Sequence, residues 1–166
     1  MERKTTKTAW LLGLGLAATA QAWASPVGLW RTIDPGTGVA ESLVRIIETP
    51  AGLVGRIERV LDPAKAAARC AACSGARKDQ PVQGMAIIEG VRRSADGSRW
   101  DGGSILDPKN GKTYKVRLTP LDGGKRLEVR GMLGPFHRDQ YWPMSTGSSS
   151  TTTRCGSPPR RSRCCA

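Results

Sequence analysis

The sequence predicts an all-β fold, an antiparallel up-and-down barrel of about eight strands. Three observations indicate this class. Turn-forming residues recur at short intervals, the segments between them are rich in Val, Ile and Leu, and apolar and polar residues alternate along the later segments. Closure of such a meander into a barrel removes exposed sheet edges, which favours a barrel over an open sheet.

Three regions of the 166-residue chain differ in composition. Residues 1–24 combine a basic start, a short apolar run and the sequence Ala-Trp-Ala, which is typical of a signal peptide cut after Ala24. Residues 145–166 are rich in Ser, Thr, Arg and Cys without apolar periodicity, so we expect a disordered tail, for which a change of reading frame is one possible origin. The predicted barrel domain is residues 25–144, in the periplasm or secreted. An uncleaved membrane anchor is the alternative for the first segment.

The charge of the predicted domain argues against a nucleic-acid partner. The whole chain has a net charge of +12, but residues 25–144 contain 19 Lys and Arg and 13 Asp and Glu, a net charge of +6. The basic residues are interspersed with acidic ones and aromatic residues are few, unlike a nucleic-acid surface. We expect a solvated surface, no further membrane-spanning segment, and a monomer.

In the first half of the domain, three strands precede a long irregular loop. A Thr-Pro-Ala-Gly turn separates the second strand from the third, and the Ala-rich centre of the loop has the composition of one helical turn. The predicted strands are residues 28–32, 41–48 and 53–61, and the loop is residues 62–80.

In the second half, glycine-containing turns alternate with short strands. Asp-Gly, Asn-Gly and Asp-Gly-Gly supply the positive φ angles that tight hairpins need. Alternation supports the assignment, since Tyr114, Val116 and Leu118 share one face of their strand. The predicted strands are residues 85–93, 99–106, 112–119, 126–132 and 139–142.

The sequence Gly-Lys-Thr at residues 111–113 is similar to the end of a phosphate-binding loop. Such a loop needs an earlier glycine where Leu106 stands and a helix after it, whereas the residues that follow Gly111 alternate with the period of a strand. Asp107, Pro108 and Gly111 are instead typical of a hairpin turn. The motif therefore predicts a hairpin and excludes a nucleotide site.

Several motifs together resemble a bacterial family that is known only as a domain of unknown function, number 2147. They are Gly28-Leu29-Trp30, Gly84-Met85, Trp100-Asp101-Gly102-Gly103-Ser104-Ile105-Leu106-Asp107-Pro108, Gly111-Lys112-Thr113-Tyr114 and Leu127-Glu128-Val129-Arg130-Gly131. The resemblance covers nearly all of residues 25–144. It implies a small exported protein with a calycin, or lipocalin-like, barrel and no established enzymatic activity. The last strand departs from the family pattern, since Pro143 and Met144 stand where members usually have a final Arg.

The resemblance also implies a role for Gly28 and Trp30. In lipocalins, a Gly-x-Trp on the first strand plugs one end of the barrel, and an Arg from a late strand stacks on the ring as a cation–π partner. Here Arg130 and Arg138 are the two candidates for that partner. Ordinary core packing is the alternative, and Trp30 is structural in both.

Cys70 and Cys73 form a Cys-x-x-Cys motif in the long loop. Thiol redox enzymes place such a pair at the N-terminus of a helix within a βαβ unit, whereas this pair lies in a loop of an all-β chain. We therefore expect a local structural disulfide, with redox activity as the alternative. No metal site is expected, because a zinc site needs four ligands and the remaining cysteines lie in the tail.

Enzymatic activity and a cofactor are not expected. His137 is the single histidine, and no motif places a nucleophile beside it. Among the carboxylates, the hairpin turn explains Asp107, and the neighbouring Gly102 and Gly103 indicate close backbone packing around Asp101.

The interior of the predicted barrel is the most promising candidate for function. Eight strands enclose a space that side chains fill or that holds one small ligand. We therefore predict binding of a small lipophilic or amphipathic ligand or envelope component, with Trp100, Tyr114 and Arg130 as candidate contacts. The alternatives are a fully packed barrel that meets another envelope protein through its surface and, less favoured, a Cys-x-x-Cys redox protein.

Overall fold

The computed structural model of the protein describes residues 24–146, which form one eight-stranded antiparallel sheet with the strands in chain order. The strands are β1 (Gly28–Ile33), β2 (Ala40–Thr49), β3 (Gly52–Val60), β4 (Ala86–Arg93), β5 (Trp100–Asp107), β6 (Lys112–Leu121), β7 (Arg126–Leu133) and β8 (Phe136–Pro143). Residues 1–23 of the predicted signal peptide (1–24) and residues 147–166 of the predicted tail (145–166) lie outside the described residues. Within the described part, no helix has the length and apolar character needed to cross a membrane.

The first and last strands meet, so the sheet curls into a nearly closed barrel. Trp30 and Met144 form an antiparallel bridge, and the backbone N–H of Ser145 donates to the Leu29 carbonyl at 2.8 Å. The last strand is longer than predicted and pairs with β7 along its whole length, in spite of its departure from the family pattern. The predicted all-β, up-and-down barrel is confirmed.

The long loop between β3 and β4 contains two short 3-10 helices, Pro63–Lys65 and Gly75–Arg77, which flank the Ala-rich segment where we expected one helical turn. The first of them begins where local chemistry favours it. The Asp62 carboxylate accepts from the Ala64 N–H at 3.0 Å, and proline is tolerated at the first helical position.

One end of the barrel is filled by side chains. Trp30, Leu127 and Trp142 are almost completely buried there, and the Trp30 indole Nε1 donates to the Pro26 carbonyl at 2.7 Å. The turns that join β2 to β3, β4 to β5 and β6 to β7 lie at this end. We call it the packed end, and the opposite end the mouth.

Glycines permit two close approaches of the backbone. A Cβ atom added at Gly103 would overlap the Glu89 carbonyl oxygen on β4, and one added at Gly111 would overlap the Ala72 carbonyl oxygen in the long loop. Gly102 is different. Nothing lies within 4 Å of its added Cβ, and its φ of +79° accompanies an irregularity in the β5–β6 register. Of Gly102 and Gly103, only Gly103 therefore shows the close backbone packing that we expected.

Candidate ligand-binding cavity

A cavity of about 1280 Å³ opens at the mouth of the barrel. The loop between β1 and β2, the long loop, and the turns that join β5 to β6 and β7 to β8 surround it. Its volume exceeds the roughly 300–1,000 Å³ of typical small-molecule sites, because it continues into solvent at the mouth. The barrel is therefore packed at one end and hollow at the other.

The wall of the cavity is largely apolar. Aliphatic side chains from β3, the long loop, β4, β5 and β7 line it: Ile57, Val60, Val82, Ile87, Ile105, Leu106 and Val129. Trp142, which is 2% exposed, lies at its inner end. Such a surface favours an apolar group of a ligand over a strongly hydrated one.

The inward-facing side chains of β8 extend from the mouth of the cavity to its inner end. Phe136, Arg138, Gln140 and Trp142 alternate along the strand and all line the cavity. Exposure falls from 78% at Phe136, through an exposed Arg138 and a half-buried Gln140, to 2% at Trp142. The cavity is therefore exposed to solvent at its rim and closed by buried side chains at its inner end, which we call the floor.

A small number of polar groups interrupt the apolar wall. Gln140 Oε1 accepts from the Trp142 indole N–H at 3.1 Å, which leaves the amide NH₂ of Gln140 as a donor. The Tyr114 hydroxyl oxygen accepts from Asn110 Nδ2 at 3.1 Å, which leaves its own hydrogen free to donate. A few polar groups in an apolar wall set the orientation of a ligand.

An ion-pair network spans the mouth. Lys109, in the turn between β5 and β6, contacts Asp34 at 2.9 Å and Glu41 at 2.6 Å, on the other side of the opening. Partial burial lowers the pKa of Lys109, but its contacts with Glu41 and Asp34 outweigh this and raise the pKa above its ordinary value. The Lys109 ammonium, together with the backbone N–H groups of Thr37 and Gly36, holds the pKa of Asp34 well below its ordinary value.

The structure brings one of the three predicted contact residues into this cavity. Tyr114 lines it, whereas Trp100 lies at the packed end, beside a separate cleft of about 470 Å³ and below the Arg93 guanidinium at 5.5 Å. Arg130 faces outward and forms two hydrogen bonds with Asp139, at 2.6 and 2.8 Å. The structure therefore places Trp100 and Arg130 away from the cavity.

Strand register explains why Arg138 and Gln140 were missed as contacts. Arg130 pairs with Asp139, and Gly131 pairs with Arg138, so odd-numbered residues of β8 face outward and even-numbered residues face inward. The predicted last strand began at Asp139 and left Arg138 outside it. Arg138 and Gln140 stand at alternate positions before Trp142, and this spacing was the sequence signal that could have identified them as inward-facing.

The expected cation–π partner of Trp30 is absent from the described residues. Neither Arg130 nor Arg138 stacks on this ring; the arginine–aromatic pairs there are Arg93 with Trp100 and Arg126 with Tyr141. The reason is geometric. Arg130 points outward, and Arg138 lies near the mouth while Trp30 lies at the packed end.

The Cys-x-x-Cys motif of the long loop packs into the core. The two sulfur atoms lie within bonding distance, and Cys70 and Cys73 are 0% and 5% exposed. The Cys70 sulfur also lies 3.3 Å from the Pro108 carbonyl oxygen in the turn between β5 and β6. Residues 24–146 contain no cluster of three or more potential metal-ligating side chains.

Comparisons with known proteins agree with this architecture. A solved structure of HP1028 from Helicobacter pylori, described as a protein of the lipocalin family, superposes with a TM-score of 0.64. The two sequences are 17% identical, over 75% of this chain and 85% of that chain, so the likeness concerns the fold alone. No curated protein matches the sequence significantly. The model of the uncharacterized bacterial proteins of domain-of-unknown-function family 2147 matches residues 28–143, and the chain therefore belongs to that family.

Proposed function

We propose that this protein binds a small lipophilic or amphipathic molecule inside its barrel and performs no chemistry on it. The observation that carries the proposal is the open cavity of about 1280 Å³ above a packed floor. Eight-stranded barrels of this size either fill their interior or hold one small ligand. Here the half of the barrel near the mouth is hollow and apolar, which favours a bound ligand over an interior filled by side chains.

The charged groups at the mouth support binding without catalysis. Asp34 and Glu41 are paired with Lys109, and Asp107 accepts from the backbone N–H of Lys109 and from the side chain of Asn110. These carboxylates hold loops in place. A general acid or base needs instead a free group within reach of a substrate.

Export remains part of the proposal. The basic and apolar N-terminal segment has the composition of a signal peptide. The buried Cys70 and Cys73 pair suits an oxidising compartment, where a structural disulfide persists. We therefore expect the ligand to be encountered outside the cytoplasm.

Native mass spectrometry of protein purified from the periplasm tests the proposal directly. We expect a reproducible extra mass that disappears on denaturation. Binding of dodecanol, followed by displacement of Nile red, supplies a second readout with a defined apolar probe.

A cavity-filling variant tests whether the cavity is the site. Gly131 faces the cavity from β7, and a Cβ there would make only ordinary contact with Tyr114, at 3.7 Å. Gly131→Phe should fold and weaken the binding of both probes, because the ring takes up part of the cavity. Met132→Phe, on the outer face of the same strand, is the matched control and should keep that binding. Equal binding by both variants would mean that the part of the cavity beside Gly131 is not the site.

A further inference from the structure

We infer that the ligand carries an anionic head group, which Arg138 holds near the mouth while an apolar chain lies deeper in the cavity. This inference rests on the proposed function and names the chemical class of the ligand, an anionic single-chain amphiphile.

The position of Arg138 in the sheet directs it toward the cavity. It lies between Phe136 and Gln140 on the inner face of β8, and its partner on β7 is Gly131. Because Gly131 has no side chain, the nearest side chain to this position is Tyr114 on β6, which lies 3.7 Å from where a Cβ of Gly131 would stand. A group bound beside the guanidinium would therefore also lie near Tyr114.

The other cations that line the cavity already have partners. Lys109 pairs with Asp34 and Glu41, Lys65 lies 3.3 Å from Asp62, and Arg69 donates to the Asp79 carbonyl at 2.9 Å. These groups hold the loops of the mouth.

Arg138 differs, since its guanidinium forms no hydrogen bond or ion pair with any other residue of 24–146. The carboxylates of the mouth are also occupied. Asp34, Glu41 and Asp62 pair with lysines, and Asp107 binds its own turn. The cavity thus presents a cation whose counter-ion is not supplied by residues 24–146.

Two neutral donors lie on either side of Arg138 in depth, Tyr114 toward the mouth and Gln140 toward the inner end of the cavity. The NH₂ of Gln140 is free because its carbonyl oxygen accepts from Trp142, and the Tyr114 hydroxyl hydrogen is free because its oxygen accepts from Asn110. Both side chains line the same cavity as Arg138. Arginine binds carboxylate and phosphate groups through two parallel hydrogen bonds, and such charge-assisted bonds are the strong ones.

The exposure gradient sets the orientation of the amphiphile. Arg138 is exposed, so its charge is hydrated before the ligand arrives, whereas Val129 and Trp142 below it are each 2% exposed. A charged head would lose its hydration if it reached this floor. The head therefore stays at the level of Arg138, and the chain lies along Val129 toward Trp142.

Titration calorimetry of the purified protein with four twelve-carbon probes tests the inference. The probes are dodecanoate, dodecyl phosphate, dodecanol and dodecyltrimethylammonium. We expect at least one of the two anions to bind roughly ten-fold or more tightly than dodecanol and the cation to bind most weakly. The preference between the two anions identifies the head group.

Arg138→Gln should remove the preference for the anion and leave the affinity for dodecanol within about two-fold, because the apolar floor is unchanged. Arg31→Gln is the matched control. It removes the same charge from an exposed position of β1 that is not part of the cavity wall, and it should keep the preference.

The outcomes separate the two proposals. If dodecanol binds as tightly as both anions, or if Arg138→Gln keeps the anion preference, recognition of an anionic head group by Arg138 is wrong, and binding in the cavity still stands. If none of the four probes binds and no co-purified mass is found, the proposed function itself fails.

Discussion

The Lys109 ammonium lies 2.9 Å from the Asp34 carboxylate, although 75 residues separate the two in the chain. This ion pair joins the turn between β5 and β6 to the loop between β1 and β2, across the mouth of the cavity. The contact therefore restrains two segments that a ligand must pass.

Lys109→Gln should raise the pKa of Asp34 toward its ordinary value of 3.8 without fully restoring it. The lysine is the largest cause of the low pKa, but the N–H groups of Thr37 and Gly36, each 2.9 Å from Asp34 Oδ1, remain in the variant. Carboxyl chemical shifts followed by NMR during an acid titration measure the change. Lys65→Gln, which removes another lysine of the mouth, should leave Asp34 unaffected.

The same low pKa has a consequence for acid stability. Because the folded-state pKa of Asp34 lies below 3.8, its contribution to folding is complete above that value and is lost only as pH falls further, toward the lowered pKa. In wild-type protein, the protection factors of the amide hydrogens in the loop between β1 and β2, taken relative to an unstructured chain at the same pH, should stay constant down to about pH 4. Loss of this protection near neutral pH would contradict the role of the ion pair.

Gly111→Ala should destabilise the protein more than Gly134→Ala. Both residues have positive φ angles, +70° and +57°, so both substitutions incur a backbone cost of about 1 kcal/mol. At Gly111 the new Cβ would also overlap the Ala72 carbonyl, whereas at Gly134 nothing lies within 4 Å. We expect an excess of at least about 1 kcal/mol in urea unfolding for Gly111→Ala. Equal losses would mean that the long loop is not packed against this turn.

Cys70→Ala combined with Cys73→Ala should cost about 2 kcal/mol or less if the pair forms a disulfide, because the ring that it closes is short. In the native protein, purified without reductant, Cys70 and Cys73 should resist alkylation by iodoacetamide when their peptides are analysed by mass spectrometry, and reduction in denaturant should make both thiols reactive. Alkylation of either cysteine in unreduced, unfolded protein would contradict the disulfide. Insulin reduction that is lost in Cys70→Ser would instead support the redox alternative.

Trp30→Phe should cost more stability than Trp100→Phe, although both rings lie at the packed end. Trp30 is fully buried, and its indole N–H supplies the Pro26 carbonyl with a hydrogen bond, so the variant leaves that acceptor without its donor at a cost of about 1–3 kcal/mol. Trp100 is 9% exposed and contacts the Arg93 guanidinium through its ring face, which phenylalanine retains in part. Denaturant unfolding compares the two, and a larger loss for Trp100→Phe would contradict the assigned role of Trp30.

The strands and hairpins could be predicted because their signals are local. Alternation along β6 and the Asn-Gly turn before it depend on neighbouring residues, so Tyr114 was correctly assigned to the inner face. The beginning of β8 was harder to predict, since Leu133, Pro135 and Phe136 lack a clear pattern of alternation. Because the predicted strand left out Arg138, the prediction did not show that this residue faces the cavity.

By itself, the sequence determined an all-β meander, the positions of its turns and the family to which it belongs. The tertiary structure alone decided that one end of the barrel is packed and the other hollow, that Arg130 faces out while Arg138 faces in, and that Lys109 reaches Asp34. The physical reason is that side chains alternate along a strand, so a one-residue difference in register exchanges the two faces. Register and cavity volume both arise from contacts between residues far apart in the chain.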